Sequence, residues 1–212
     1  MSAAGYAMRL YLSSYQMGDR FDDLVACIEP GAKVAVVSNA LDGIPAEVRR
    51  QYRGFSAKAH FNAHGLDAFD LDLRDFFDAP QHLAAALSDV RLVWAVGGNA
   101  FLLRRAMRQS GLDDLIVKRV GDGSLTYGGW SAGTCVAGPS LRGIDIMDDP
   151  PLAPEGYDPT IIWEGMGLVD FIIVPHFASN HPEAALAAAA VDWLTHAGLP
   201  FQAIRDGEVI VR

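Results

Sequence analysis

A serine lies among glycines in the segment Tyr127–Thr134, YGGWSAGT. Gly129, Ser131 and Gly133 form a Gly-x-Ser-x-Gly pattern between a predicted strand and an apolar helical segment. This pattern is typical of a nucleophile elbow, a sharp strand-to-helix turn that exposes the serine hydroxyl above the sheet. The N–H of Ala132 would then face an oxyanion at a helix N-terminus. The alternative is a glycine-rich turn that only packs tightly.

A nucleophilic serine needs a base, and the chain has six histidines. His176 follows the apolar run FIIVP, which places it at the carboxyl end of a buried strand, where open α/β sheets bind ligands. His181 is either a helix-entry residue or a second group of the site. The other histidines lie in helical or helix-end segments and are expected to be solvated: His60, His64, His82 and His196.

The third residue of such a triad is a carboxylate that orients the imidazole. Asp145, between two isoleucines, suits a partly buried orienting role and is the first choice. Asp148 is the alternative, although Asp148 and Asp149 precede Pro150 and also fit a turn with local backbone capping.

A second glycine pair, Gly97 and Gly98, follows the predicted strand Leu92–Val96 and opens a helix. Its backbone N–H groups could supply the other half of an oxyanion hole. The segment GGNAF has neither the dinucleotide-binding spacing nor that of a phosphate-binding P-loop, which argues against a nucleotide site.

Short apolar runs alternate with longer helical patterns, and this order predicts an α/β three-layer sandwich around a mostly parallel sheet. The predicted strands are Arg9–Ser13, Lys33–Ser38, Ala68–Leu71, Leu92–Val96, Leu125–Gly128 and Phe171–Pro175. The predicted helices are Asp19–Ile28, Ala46–Ala63, Gln81–Leu87, Ala100–Arg108, Asp113–Val120 and Pro182–Ala197.

The C-terminal end carries a turn signal, Asp206-Gly207, between the apolar runs Phe201–Ile204 and Glu208–Val211. An Asp-Gly pair in this setting predicts a small hairpin and an antiparallel edge. The proline-rich segment Pro150–Tyr157 is expected to be a surface loop that borders a site.

The composition narrows the function classes. A chain of 212 residues that is 50% hydrophobic fits one α/β domain over residues 1–212. The net charge of −9 disfavours nucleic acid and anionic membranes, which need a basic surface. The two cysteines do not have the spacing of a metal site, so no metal or cofactor is expected. The low cysteine count and the lack of a secretory signal pattern favour a cytoplasmic protein. The oligomeric state stays open.

The segments VGGNAF, GGWSAGT, GPSLR and VPHF, in this order and spacing, resemble the peptidase E and cyanophycinase family of serine peptidases. The resemblance spans nearly the whole chain. It implies a fold like that of class I glutamine amidotransferases, which is flavodoxin-like, with serine at the elbow instead of cysteine. Cys135, one helical turn past Ser131, is then expected to belong to the core.

The resemblance also implies roles for individual residues. Ser131 would be the nucleophile, His176 the general base, and Gly98 and Ala132 the oxyanion donors. In aspartyl dipeptidases the acidic residue lies one position further from the serine than Asp145 does here, so Asp148 remains the alternative. Candidate substrate-binding residues are Asn99, Arg142 and His181.

These expectations describe a serine peptidase that hydrolyses short peptides through an acyl-enzyme, with dipeptides that begin with aspartate as the implied substrates. Arg142 is the candidate cation for such a substrate, and an ordinary surface arginine is the alternative interpretation. A non-peptidase esterase and a catalytically silent binding protein of the same fold are the competing functions.

Overall fold

The computed structural model describes residues 8–45, 47 and 55–212. Its strands are β1 (Leu10–Ser13), β2 (Lys33–Val37), β3 (Asp67–Leu71), β4 (Val90–Ala95), β5 (Thr126–Trp130), β6 (Ile172–Val174), β7 (Phe201–Ala203) and β8 (Val209–Val211). Its α-helices are α1 (Phe21–Ala26), α2 (Ala57–Ala63), α3 (Leu83–Ala86), α4 (Ala100–Ser110), α5 (Leu112–Asp122), α6 (Ala132–Cys135) and α7 (Ala184–Ala197).

The central sheet has six strands in the order β3-β2-β4-β5-β1-β8. All neighbouring pairs are parallel except β1 and β8, which are antiparallel. The strands β6 and β7 form a separate parallel pair. The predicted mostly parallel sheet flanked by helices is therefore confirmed.

Both faces of the central sheet are covered, which explains why its strands are continuous apolar runs in the sequence. Successive residues of β1 point to opposite faces: Tyr11 belongs to the same core cluster as Trp94 and Phe61, and Leu12 belongs to the other cluster, with Val93 and Leu103. The two layers hold the strand ends in place.

The predicted helices lie at their expected positions, with shifted ends. Gly111 and Gly198, both with left-handed backbone angles, end α4 and α7. Of the predicted helix Ala46–Ala63, the structure contains α2, which Ser56 caps through the N–H of Ala59. Residues 46 and 48–54 of that prediction lie outside the described residues.

The two C-terminal strands exist as predicted, but they do not pair with each other. β7 pairs with β6, and β8 adds the antiparallel edge next to β1. Asp206 and Gly207 thus connect two sheets instead of closing a hairpin, because β7 continues the pair with β6 and β8 continues the central sheet at β1. Within the described ranges, no helix is long and apolar enough to cross a membrane.

The segment Pro150–Tyr157 contains neither helix nor strand, as predicted. Buried Arg105 of α4 holds this loop by donating hydrogen bonds to the carbonyl oxygens of Pro150 at 2.7 Å and Leu152 at 3.2 Å. Gln109, one turn further along α4, donates to the carbonyl oxygen of Gly156 at 2.9 Å. One face of α4 therefore fixes the loop.

Candidate active site

Ser131 lies in the sharp turn between β5 and α6, with φ 49° and ψ −114°. Non-glycine residues rarely adopt a positive φ, and the backbone strain costs about 1–3 kcal/mol. The N–H of Ser131 donates to the carbonyl oxygens of Ser13 and Ser14, at 3.3 and 3.1 Å. The turn is therefore tied to the end of β1, and the side chain is only partly buried.

The glycines around Ser131 are required by close packing. A Cβ on Gly133 would lie 2.2 Å from the carbonyl oxygen of Ala95 in β4, and one on Gly129 would lie 2.5 Å from the same atom. Both contacts are shorter than real Cβ atoms make, and the neighbour is backbone, which cannot rotate away. The Gly-x-Ser-x-Gly spacing thus lets the turn press against the end of β4.

The second glycine pair abuts this turn. A Cβ on Gly97 would lie 3.1 Å from the Cβ of Ser131, and Gly98 has φ 139° with the carbonyl of Ala40 directly beneath it. In the described part of the chain, neither Gly98 nor Ala132 uses its backbone N–H in a hydrogen bond. Both donors are free for an oxyanion formed at Ser131.

His176 follows β6, at the carboxyl end of the strand, and its side chain is buried. It has a left-handed backbone with φ 63°, and its N–H donates to the hydroxyl oxygen of Ser14 at 2.8 Å. Burial lowers the pKa of His176 below that of a free histidine, against the opposite effect of a neighbouring carboxylate. The imidazole is thereby favoured in its neutral, basic form.

The carboxylate at His176 is Asp206. Its Oδ1 lies 2.7 Å from Nδ1 of His176 and accepts a second hydrogen bond, at 2.9 Å, from the hydroxyl of Ser14. Because an ionised carboxylate only accepts, Nδ1 carries the proton, and the lone pair is on Nε2. The N–H of Asp206 donates to the hydroxyl of Ser179 at 2.8 Å, which fixes the turn that carries the carboxylate.

Ser14 connects the two parts of the site. Its carbonyl accepts from Ser131, while its buried hydroxyl accepts from His176 and donates to Asp206. Among the described residues, the Ser131 hydroxyl itself makes no hydrogen bond, and none links it to His176. Such bonds are often absent before substrate binds.

The sequence-based choice of Asp145 as the orienting carboxylate is corrected by this geometry. Asp145 is exposed, and its Oδ1 accepts from the N–H of Gly143 at 2.8 Å. The alternative, Asp148, accepts from the N–H of Ala100 at 2.8 Å and so caps the start of α4. Both of these carboxylates accept hydrogen bonds from backbone N–H groups, whereas Asp206 bonds the histidine ring.

Asp148 nevertheless differs from an ordinary capping residue. Desolvation, with a smaller contribution from the charge of Glu183, raises its pKa to about 7. Asp148 is therefore largely protonated in mildly acidic solution.

The three candidate substrate-binding residues have different surroundings. Asn99 caps α4 by accepting from the N–H of Leu102 at 2.8 Å, and it donates to the carbonyl of Asp149 at 2.9 Å. Arg142 is exposed, with its guanidinium 5.2 Å from the ring centre of Trp163. His181 alone contacts the candidate triad.

The ring of His181 stacks on that of His176, with centroids 3.7 Å apart and an interplanar angle of 6°. Tyr15 sets its ring edgewise against both, at 6.1 Å from His176 and 5.4 Å from His181. Oε2 of Glu183 lies 3.7 Å from Nε2 of His176. Cys135 is buried with its thiol against the carbonyl of Ile173, in agreement with a core role.

A model of peptidase family S51 matches residues 35–212. The chain belongs to peptidase family S51. The relatives of this S51 chain include peptidase E of Streptomyces coelicolor, 31% identical over 191 residues that cover 88% of this chain and 70% of that protein. An uncharacterized peptidase of Listeria innocua is 32% identical over 113 residues, 53% of this chain and 51% of the other.

A further relative is the Drosophila melanogaster protein named "Probable alpha-aspartyl dipeptidase", 33% identical over 127 residues, 58% of this chain and 50% of that protein. The S51 chain thus spans about half the length of the Listeria and Drosophila relatives. Among solved structures, a candidate peptidase E protein from Listeria monocytogenes has a TM-score of 0.74 at 22% identity, over 97% of this chain and 98% of that one. This similarity supports the fold.

Sequence analysis did not identify Asp206, Ser14 or Glu183. A usable signal existed in the strand pairing. Val174 of β6 is in register with Ala203 of β7, so the residues just beyond the two strands are neighbours. The pairing of Ser13 with Trp130 places Ser14 beside Ser131 by the same rule.

Proposed function

We propose that this S51 chain is a serine peptidase in which Ser131 is the nucleophile, His176 the general base and Asp206 the residue that orients the histidine. The observation that carries the proposal is the Ser14 link. One residue bonds the strained serine turn and also the His176–Asp206 pair. Family membership and the names of the relatives support the same reaction class.

In the proposed acylation step, Nε2 of His176 takes the hydroxyl proton of Ser131 as Oγ attacks the peptide carbonyl carbon. The N–H groups of Gly98 and Ala132 bind the negative oxygen of the tetrahedral intermediate. The C–N bond then breaks, and the proton on His176 passes to the leaving amine. Asp206 stabilises the imidazolium throughout and keeps its own negative charge.

In the deacylation step, His176 takes a proton from water, whose oxygen attacks the ester carbonyl at Ser131. Collapse of the second intermediate releases the carboxylic acid and returns the proton to Oγ. The cycle consumes one water molecule and returns Ser131 and His176 to their starting protonation states.

Short peptides are the proposed substrates, and dipeptides with N-terminal aspartate are the first class to test, given the relatives named peptidase E and alpha-aspartyl dipeptidase. A cavity of about 350 Å³ is lined by Tyr15 and Gly207, the chain neighbours of Ser14 and Asp206, together with Phe21, Phe55 and His60. Its lining does not include Ser131, His176 or Asp206.

The decisive experiment is labelling with a fluorophosphonate probe, with the adduct located by mass spectrometry. We expect modification of Ser131 in the native chain and none in Ser131→Ala or His176→Ala, each checked for folding by circular dichroism. A folded protein that stays unlabelled would overturn the proposed nucleophile. Comparing an Asp-Xaa peptide, an Ala-Xaa peptide and an aryl ester then separates peptidase from esterase activity.

A further inference from the structure

Three side chains in the segment between β6 and α7 form a cluster of residue types that bind metals. Nitrogen atoms of His176 and His181 and a carboxylate oxygen of Glu183 all lie within 4.8 Å of one another. Sequence analysis found no metal-ligand spacing because it considered cysteine and histidine patterns alone. The turn that follows His176 brings this His-x₄-His-x-Glu set together.

We propose that these three residues bind a divalent transition-metal ion, best represented by Zn²⁺, and that the bound ion inhibits the enzyme. The ion would occupy Nε2 of His176, the atom that has to accept the Ser131 proton. Two imidazoles and one carboxylate are a donor set that Zn²⁺ takes in proteins, with further positions left for solvent. The inhibition rests on the proposed function, but the binding does not.

The separation of the donor atoms suits one ion. Two ligands of tetrahedral Zn²⁺ with bonds of about 2.05 Å are about 3.3 Å apart. Nε2 of His176 and Oε2 of Glu183 are 3.7 Å apart, so a shift of a few tenths of an ångström closes them on an ion. Without a cation or proton between them, a nitrogen lone pair and a carboxylate oxygen repel each other at this distance.

His176 already has the supporting contact that metal-bound histidines usually have. Its Nδ1 donates to Asp206 at 2.7 Å, which leaves Nε2 unprotonated and fixes the direction of its lone pair. A carboxylate behind the ligand also increases the basicity of the ring. The arrangement that prepares His176 to act as a base therefore also prepares it to bind a metal.

His181 must move to become the third ligand. Its ring lies parallel to that of His176, and its Nδ1 accepts from the N–H of Glu183 at 3.2 Å. Ligation through Nε2 moves the ring proton to Nδ1, gives up this long hydrogen bond and tilts the ring out of the stack. His181 is partly exposed, so the movement does not disturb the core.

The binding test is isothermal titration of the untagged protein with ZnCl₂ in a buffer that does not chelate metals. We expect one site of micromolar affinity in the native chain. His181→Ala and Glu183→Gln should each weaken it about tenfold or more, the order of loss seen when even a supporting residue of a metal site is removed. No binding at about 100 micromolar ZnCl₂, or binding that is unchanged in both variants, would overturn the proposal.

A second histidine pair provides the matched control. His60 of α2 and His64, the residue that ends this helix, have ring centroids 4.6 Å apart and could hold Zn²⁺ by themselves. The variant His60→Ala/His64→Ala should keep the micromolar site. If this variant loses binding while His181→Ala keeps it, the ion is bound at α2, and the proposed site is wrong.

The inhibition test measures the rate of fluorophosphonate labelling of Ser131 with and without Zn²⁺. We expect Zn²⁺ to slow the native reaction and a chelator to restore it, with about tenfold more Zn²⁺ needed in His181→Ala. Binding without any effect on labelling would refute the inhibitory role. If the native chain fails to label at all, the proposed function fails, while the titration still decides whether the metal site exists.

Discussion

Ser131 and His176 both have left-handed backbones, but different interactions hold them. The turn at Ser131 is shaped by glycines within two residues of it, pressed against the adjacent strand β4. His176 is held by hydrogen bonds to Ser14 and Asp206, which lie 162 and 30 positions away along the chain. The serine side depends on local packing, and the histidine side depends on distant polar partners.

The largest effect should come from breaking the histidine side at Asp206. Asp206→Asn leaves the shape but favours the wrong tautomer of His176, so we expect kcat/KM, or the rate of Ser131 labelling, to fall about 10³–10⁴-fold. Asp145→Asn is the matched control and should change the rate less than about threefold, because that carboxylate bonds only a backbone N–H. Equal losses in both variants would return Asp145 to the triad.

The same difference explains what the sequence could predict. The strands, the nucleophile turn and the position of His176 follow from patterns a few residues long, such as an apolar run that ends in a polar residue. The glycines at 129 and 133 mark the turn because both lie within two residues of Ser131 and their function is steric. These features need no knowledge of which strands pair.

Asp206 could not be found in that way. An aspartate before glycine is fully explained as a turn residue, so its type and position give no reason to place it beside His176. Only the pairing of β7 with β6 brings the ends of the two strands together. The two isoleucines beside Asp145 suggest a partly buried carboxylate, yet Asp145 is exposed, because neighbours in sequence do not determine which carboxylate contacts a ring.

The serine side can be tested by adding one methyl group. Gly133→Ala would place its Cβ 2.2 Å from the carbonyl oxygen of Ala95, so the turn or β4 must shift. We expect a loss of about 2–3 kcal/mol in the free energy of unfolding, measured by urea denaturation. Gly121→Ala is the matched control, because Gly121 also lies in a helix without a positive φ and its added Cβ would meet nothing within 4 Å. A loss no greater than that of the control would show that the turn is not closely packed.

Ser14 connects the two sides, and its hydroxyl can be removed without changing its carbonyl. Ser14→Ala leaves the N–H of His176 buried without its acceptor and removes one donor from Asp206. We expect kcat to fall about 10- to 100-fold, with KM nearly unchanged, because substrate contacts are retained.

The control for Ser14 is its neighbour. The Ser13 hydroxyl donates to the carbonyl of Tyr15 at 3.1 Å and has no bond to His176 or Asp206. Ser13→Ala should therefore lower kcat much less. A rise in KM without a change in kcat in Ser14→Ala would contradict the positioning role.

The smallest expected effect is a pH dependence of stability that comes from Asp148. This carboxylate bonds a backbone N–H, whereas that of Asp206 bonds the ring of His176. Burial raises the pKa of Asp148 from the ordinary 3.8 to about 7, so between these values the folded chain holds a proton that the unfolded chain releases. Stability from this group is therefore greatest below about pH 4 and is lost as the pH rises towards 7.

Asp148→Asn should remove this pH dependence, since its amide oxygen can still accept from the N–H of Ala100. We expect the native chain to lose about 2 kcal/mol more than the variant between pH 5 and pH 8, measured by urea unfolding at both values. Parallel pH profiles for the two proteins would mean that Asp148 is ionised throughout. In that case burial would have no measurable effect on the charge of Asp148. Asp148 and Asp206 would then differ only in the group to which each is hydrogen-bonded.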